Sequence, residues 1–242
     1  MSRRGELRVT LLELPATWID HAGQLARVER SLTSSPPGDL VLLPEAAISG
    51  YLAPDLSSDL APFAEPLSGA TAQALSGLAR QFECALVGPL IERDGRRLYN
   101  AIVGFGPDGE RILHYRKRHP WYPELWATAG ALPYPRLELN GVQLTAAICF
   151  DVHFLEEEAE EVLRASDVLL FPSAWVDEGD ARPGQLGALA AKYQLSIANA
   201  NWGPGRPNVP GQGGSMALDA AGAILARAAE GQVRLDVTLR AK

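Results

Sequence analysis

The sequence predicts an α/β protein built on mixed sheets, and three observations carry that prediction. Short apolar runs of strand length recur along the chain. Stretches with helical spacing alternate with several of them. The tract YNAIVGFGPDGERILHYRK places an Asp-Gly step between two strand-like runs, a hairpin signal that requires at least one antiparallel pair within the sheets.

The strand-like runs are LRVTLLEL (7–14), DLVLLPE (39–45), CALVGPL (84–90), YNAIVGFG (99–106), VQLTAAICF (142–150), DVLLFPS (167–173), LSIANAN (195–201) and SMALDA (215–220). Gly, Pro, Asp or Asn bounds each of them. Helical spacing puts Leu25, Val28 and Leu32 on one face of 21–33, and Ala74, Leu75, Leu78 and Phe82 on one face of 70–82. Residues 155–165 and 185–195 read as helices in the same way. The Gly/Pro-rich tract 203–214 reads as a long loop rather than a linker, because strand-like runs flank it and only a short tail follows. Residues 1–242 are therefore expected to form a single domain, large enough to bury a sizeable core at 47% hydrophobic and 21% charged residues.

A net charge of −7 argues against a general nucleic-acid or anionic-membrane binder, which needs surplus basic residues. Neither a signal-peptide segment nor an apolar run of transmembrane length is evident. The two cysteines, Cys84 and Cys149, form no CxxC pair and read as reduced thiols, so a cytoplasmic protein is expected. The histidines at 21, 114, 119 and 153 show no metal-ligand spacing, so neither metal nor cofactor is expected.

Several runs end on polar residues where loops begin: Glu45, Lys117, Cys149 and Ser173. Strand carboxyl ends are where clefts form in α/β sheets. A carboxylate, an ammonium and a thiol converging there would suit acyl transfer. The thiol attacks a carbonyl carbon, the carboxylate moves its proton, and the ammonium stabilises the oxyanion. Taken singly, each residue has a plainer reading: Cys149 as an inert core thiol, Glu45 as a solvated loop residue, Lys117 as part of a basic surface cluster. The acidic run Glu156–Glu158 would raise the thiol's pKa if it faced the cleft. Helical spacing cannot put all three on one face, which leaves Lys117 as the charge expected to govern Cys149.

The segments LLPEAAISGY (42–51), HYRKRHPWYPE (114–124) and AAICFDVHF (146–154) resemble the three signature blocks of the nitrilase superfamily, the carbon–nitrogen hydrolases. FPSAW (171–175), ANAN (198–201) and GGSMALDAAG (213–222) fit the same pattern, so the resemblance runs from about Leu7 to Gly222. It implies a four-layer α-β-β-α sandwich, with Glu45 as general base, Lys117 as oxyanion stabiliser, Cys149 as nucleophile and Glu124 as the supporting second glutamate. It also implies a homodimer or larger homo-oligomer, although this chain is shorter at its C-terminus than many relatives. Three positions depart from the pattern. His153 stands where arginine is usual, Leu155 where proline is usual, and Lys192 in place of a glutamate. Either a supporting arginine–glutamate pair has become a histidine–lysine environment, or activity has weakened.

Among the family's activities, hydrolysis of a small amide or carbamoyl compound through a cysteine thioester is expected. Phe150, Ser173 and Trp175 are the candidate substrate contacts at the strand ends. Nitrile and N-carbamoyl amino-acid hydrolysis are the alternatives, and a non-catalytic binding or assembly protein is the alternative of another class.

Overall fold

The computed structural model describes residues 4–242. The chain runs β1 (Glu6–Leu12), α1 (His21–Ser34), β2 (Leu40–Leu42), α2 (Ala70–Gln81), β3 (Ala85–Asp94), β4 (Arg97–Phe105), β5 (Arg111–Arg116), β6 (Leu137–Leu139) and β7 (Val142–Ala146). It continues through α3 (Leu155–Glu158), α4 (Glu160–Ala165), β8 (Val168–Ser173), α5 (Arg182–Tyr193), β9 (Ser196–Asn201), β10 (Met216–Leu218), β11 (Ile224–Arg227) and β12 (Arg234–Arg240). The strands form two six-stranded mixed sheets, ordered β12-β1-β2-β3-β4-β5 and β11-β10-β9-β8-β7-β6. The parallel strands β1, β2 and β3 lie within the first sheet, and β7, β8 and β9 within the second.

Alternation along the strands makes the layers. Leu40 and Leu42 join Leu7, Val9 and Leu11 in the apolar core that also holds Leu169, Ile197 and Ala198 of the second sheet. Val41 and Leu43 point the other way, toward Val28 and Leu32 of α1 and Leu75 of α2. Leu186, Leu189 and Tyr193 of α5 cover the outer face of the second sheet. The result is the expected α-β-β-α sandwich. Each fully buried leucine contributes about 1.5–3 kcal/mol to holding it together.

The "GPDGE" turn joins β4 to β5 as an antiparallel hairpin. The two-residue loop Gly95–Arg96, with Gly95 at φ 59°, closes the β3–β4 hairpin, which the sequence reading leaves unassigned. Two successive antiparallel pairings restore the direction of β3, so β5 ends at the same edge of the sheet as β2. The tract 155–165 is two short helices instead of one, because the backbone leaves helical geometry at Ala159 (φ −128°, ψ 12°). The chain after residue 214 is no mere tail. β12 pairs along its length with β1, from Glu6↔Arg240 to Leu12↔Arg234, and closes the edge of the first sheet. Its alternating RLDVTLR pattern carries that signal.

Alternation also sorts β5. Leu113 and Tyr115 face the inter-sheet core, whereas His114 and Arg116 face outward to Glu92 on β3. Arg116 and His114 reach Glu92 at 2.6 Å and 2.8 Å respectively, while the Arg116 guanidinium lies 4.0 Å above the Tyr99 ring. Burial alone would raise the Glu92 carboxyl, but the His114 and Arg116 hydrogen bonds outweigh it and hold the pKa at about 2, against 4.5 ordinarily. A depressed folded-state pKa stabilises the fold above the unfolded value and ceases to do so as pH falls through the folded one. Glu92→Gln should therefore destabilise the protein by roughly 1–3 kcal/mol at neutral pH. In urea denaturation, that deficit should shrink as pH is lowered from about 4.5 to about 2.

Candidate active site

Glu45 follows β2 through Pro44 and sits in a tight turn whose next residue, Ala46, has φ 49°. The Gln24 amide of α1 donates to Ala47 O at 2.7 Å and Pro15 O at 2.8 Å, fixing that turn from behind. Gly50 closes the turn at φ 89°, where a Cβ would collide with the Thr17 carbonyl oxygen, so the block tolerates only glycine there.

Lys117 is the first residue beyond β5, and the alternation that buries Leu113 and Tyr115 sends its side chain inward as well. Its Nζ donates to Glu45 Oε1 at 2.7 Å and Glu124 Oε1 at 2.9 Å, with all three side chains fully buried. Asn100 of β4 completes the cluster, its Nδ2 donating to the same two oxygens at 2.7 and 3.0 Å. The remaining oxygens accept backbone protons: Glu45 Oε2 from Ala174 N at 2.9 Å, and Glu124 Oε2 from Trp121 N at 3.0 Å. Burial opposes the charged form of Lys117, but Glu45 and Glu124 together raise its pKa above the ordinary lysine value. Burial raises Glu124, with Lys117 opposing and the Glu45 charge adding to the shift. The Tyr51 hydroxyl lies against Glu124 and helps to hold its charge.

Cys149 opens a one-turn 3-10 helix, Cys149–His153, after the end of β7, and its φ of 45° is a strained conformation for a non-glycine residue. Asp151, wholly buried, fastens that turn. Its Oδ2 accepts from Ile148 N at 3.1 Å and Tyr115 OH at 2.9 Å. Its Oδ1 accepts from Arg118 N at 3.1 Å and His119 N at 2.9 Å, the two amides that follow Lys117. One carboxylate thus ties the cysteine turn of the second sheet to the lysine segment of the first. Burial raises the Cys149 thiol well above its ordinary value, and the Glu45 charge raises it further. Lys117 and the Ala174 N–H pull it back only in part. Lys117 does not govern the thiol as the sequence suggested, because its charge is already taken up by two carboxylates. Cys84, buried in the first sheet's outer core, is pushed up to about 11 by burial alone.

A cavity of about 190 Å³ opens over Cys149, walled by Trp121, Phe150, His153 and Trp175, with Asp177 also on its lining. Ala174, whose N–H donates to Glu45, also lines this cavity, and the charges of Glu45, Lys117 and Glu124 act on the Cys149 thiol from the buried cluster. Ser173 does not reach this cavity. It is wholly buried, donating to Asn201 Oδ1 at 2.9 Å and accepting from Asn199 Nδ2 at 2.9 Å. Asn201 Oδ1 also accepts from Trp175 N at 3.0 Å, so Ser173 acts on the site by holding the end of β8. Arg182, also buried, reaches Asn199 Oδ1 at 3.2 Å and extends the same network.

The positions that depart from the family pattern do not form a histidine–lysine pair. His153 packs against Phe150 (4.9 Å between ring centroids) and Trp175 (6.2 Å). Lys192 lies on α5 and pairs with Glu156 at 2.7 Å. Of the acidic run, Glu158 is held by Arg118 at 2.7 Å and His119 at 2.9 Å, and so is not simply solvated. Among the described residues, no group of three or more His, Cys, Asp or Glu side chains is placed to share a metal ion. No described helix is long and apolar enough to cross a membrane.

The carbon–nitrogen hydrolase family model matches residues 8–237. An (R)-stereoselective amidase from a Pseudomonas species is 30% identical over 236 residues, covering 96% of this chain and 85% of the relative. A hydrolase encoded in the pqqF 5' region of Pseudomonas protegens is 30% identical over 202 residues, covering 81% of this chain and 70% of its own length. Among solved structures, an amidase variant from Nesterenkonia sp. AN1 carries the acetamide moiety of fluoroacetamide on its active-site cysteine. It superposes with a TM-score of 0.87 at 26% identity, covering 99% of this chain and 93% of that one. With its sandwich of two mixed sheets and a family match spanning nearly its whole length, the chain belongs to the carbon–nitrogen hydrolases of the nitrilase superfamily.

Proposed function

We infer that this protein is an amidase that hydrolyses a small amide through a thioester on Cys149. The observation that carries the reading is the buried Lys117 ammonium shared by Glu45 and Glu124 beneath the only half-buried member of the group, Cys149. Three formal charges buried together are costly to the fold, and a site that retains them serves chemistry.

In the cycle, Glu45 takes the thiol proton as Cys149 attacks the amide carbon. A thiol whose pKa is raised stays protonated at rest, so deprotonation accompanies attack instead of preceding it. Lys117 balances the charge that develops on the oxygen. Glu45 returns the proton to the departing nitrogen, leaving the thioester and ammonia or an amine. Glu45 then activates a water, which adds to the thioester carbon, and the acid leaves as the thiol is reprotonated. Glu124, Asn100 and Asp151 hold these groups in place, and Phe150 and Trp175 wall the substrate.

The same reading takes residues 1–242 as one catalytic domain, cytoplasmic and assembled as a homodimer or larger homo-oligomer. Tyr122 and Leu125, 75% and 83% exposed beside Glu124, supply apolar surface for such an assembly. Light scattering returning the mass of one subunit would count against it.

Cys149→Ala should abolish ammonia release across a panel of amides, nitriles and N-carbamoyl amino acids, with amides the best wild-type substrates. A wild type as silent as the variant on the whole panel would favour a binding protein instead. Glu45→Gln should lower kcat by at least about a hundredfold. It should also move the pH midpoint of Cys149 alkylation by iodoacetamide downward, because the charge that raises the thiol is gone. A midpoint that stays put or climbs contradicts the assigned coupling.

A further inference from the structure

The geometry points to a substrate amide that carries a positive charge close to its acyl carbon, as an amino-acid amide does, with Asp177 as the residue that selects it. The inference rests on the amidase reading above and adds the substrate's charge to it.

The walls of the cavity favour a cation in two ways. Trp121, Phe150 and Trp175 present three aromatic rings around the space over Cys149. Aromatic faces attract ammonium groups. Asp177 is the one acidic residue on the same lining. Its carboxylate is kept ionised by the Ala181 N–H at 2.8 Å and the Gly179 N–H at 3.2 Å, which hold its pKa below the ordinary value. The Trp175 indole N–H, buried beside the cavity, has no hydrogen-bond partner.

The same lining disfavours an anion. No lysine or arginine is part of it, and Lys117 lies below, committed to Glu45 and Glu124. His153, on the same lining, is packed against Phe150 and Trp175. A carboxylate-bearing substrate, such as an N-carbamoyl amino acid, would find no fixed cation and would face Asp177. Selection here acts through repulsion of the wrong charge as much as attraction of the right one.

The test is a series of equal shape at neutral pH. It comprises valinamide with its ammonium, the isostere in which a methyl group replaces the ammonium, and the isostere in which a carboxylate replaces it. Both enantiomers of each are assayed by ammonia release. Wild type should favour valinamide over the methyl isostere by roughly tenfold in kcat/KM, with the carboxylate isostere poorest. In Asp177→Asn the ratio of the first two should fall several-fold, to what the aromatic walls alone supply. The wild-type series decides the matter even if the variant folds poorly. A methyl isostere as good as valinamide in wild type, or a ratio that survives Asp177→Asn, overturns the inference while leaving the amidase reading intact. A wild type that releases ammonia from none of the three, and from no member of the broader panel, overturns both.

Discussion

The buried ammonium of Lys117 is the constraint around which the rest of the molecule is arranged. Its Nζ lies 2.7 Å from Glu45 and 2.9 Å from Glu124, with no solvent to share the charge. Such a cluster costs more desolvation energy than an apolar core of the same volume, and it survives only when every carboxylate oxygen is supplied with donors. Asn100, the Ala174 and Trp121 amides and the Tyr51 hydroxyl meet that demand. They come from β4, the end of β8, the segment after Lys117 and the Glu45 turn, so the cluster draws on both sheets.

That requirement explains the loops that surround the site. The Glu45 turn is held by Gln24 from α1 and closed by Gly50, where no side chain fits. Asp151 does the equivalent work for Cys149, joining its strained turn to the two amides beyond Lys117. The thiol is thus presented to the cavity while its partners stay dry beneath it. Burial and the Glu45 charge keep it protonated at rest. Reactivity then depends on a base already in place, not on a standing thiolate.

How much of this was legible in the sequence varied with the kind of signal. The hairpin through Asp108–Gly109 and the central strands were readable, because a turn dipeptide and apolar alternation are local properties. The β3–β4 hairpin carries a weaker signal, the single glycine of its Gly95–Arg96 loop, and the β12 strand a short alternation broken by charged residues. Asn100 and Asp151 could not be singled out. An asparagine in an apolar strand and an aspartate after a cysteine look ordinary until their partners, from 24 to 55 residues away, are brought beside them. Ser173 shows the reverse error. Its place at a strand end suggested a substrate contact, but its hydroxyl is consumed by Asn199 and Asn201.

The sequence by itself determined the strand and helix periodicities, and its three blocks singled out a glutamate, a lysine and a cysteine at strand ends. Periodicity decides which face of an element is buried, and the strand-end positions follow from it. Only the tertiary structure decided that Lys117 is shared by two carboxylates, that its charge therefore does not rule the thiol, and that an aromatic cavity with one carboxylate lies above. Those facts depend on distances between segments that are far apart in the chain. The interactions concerned, hydrogen bonds and charges in a dry interior, change within a few ångströms.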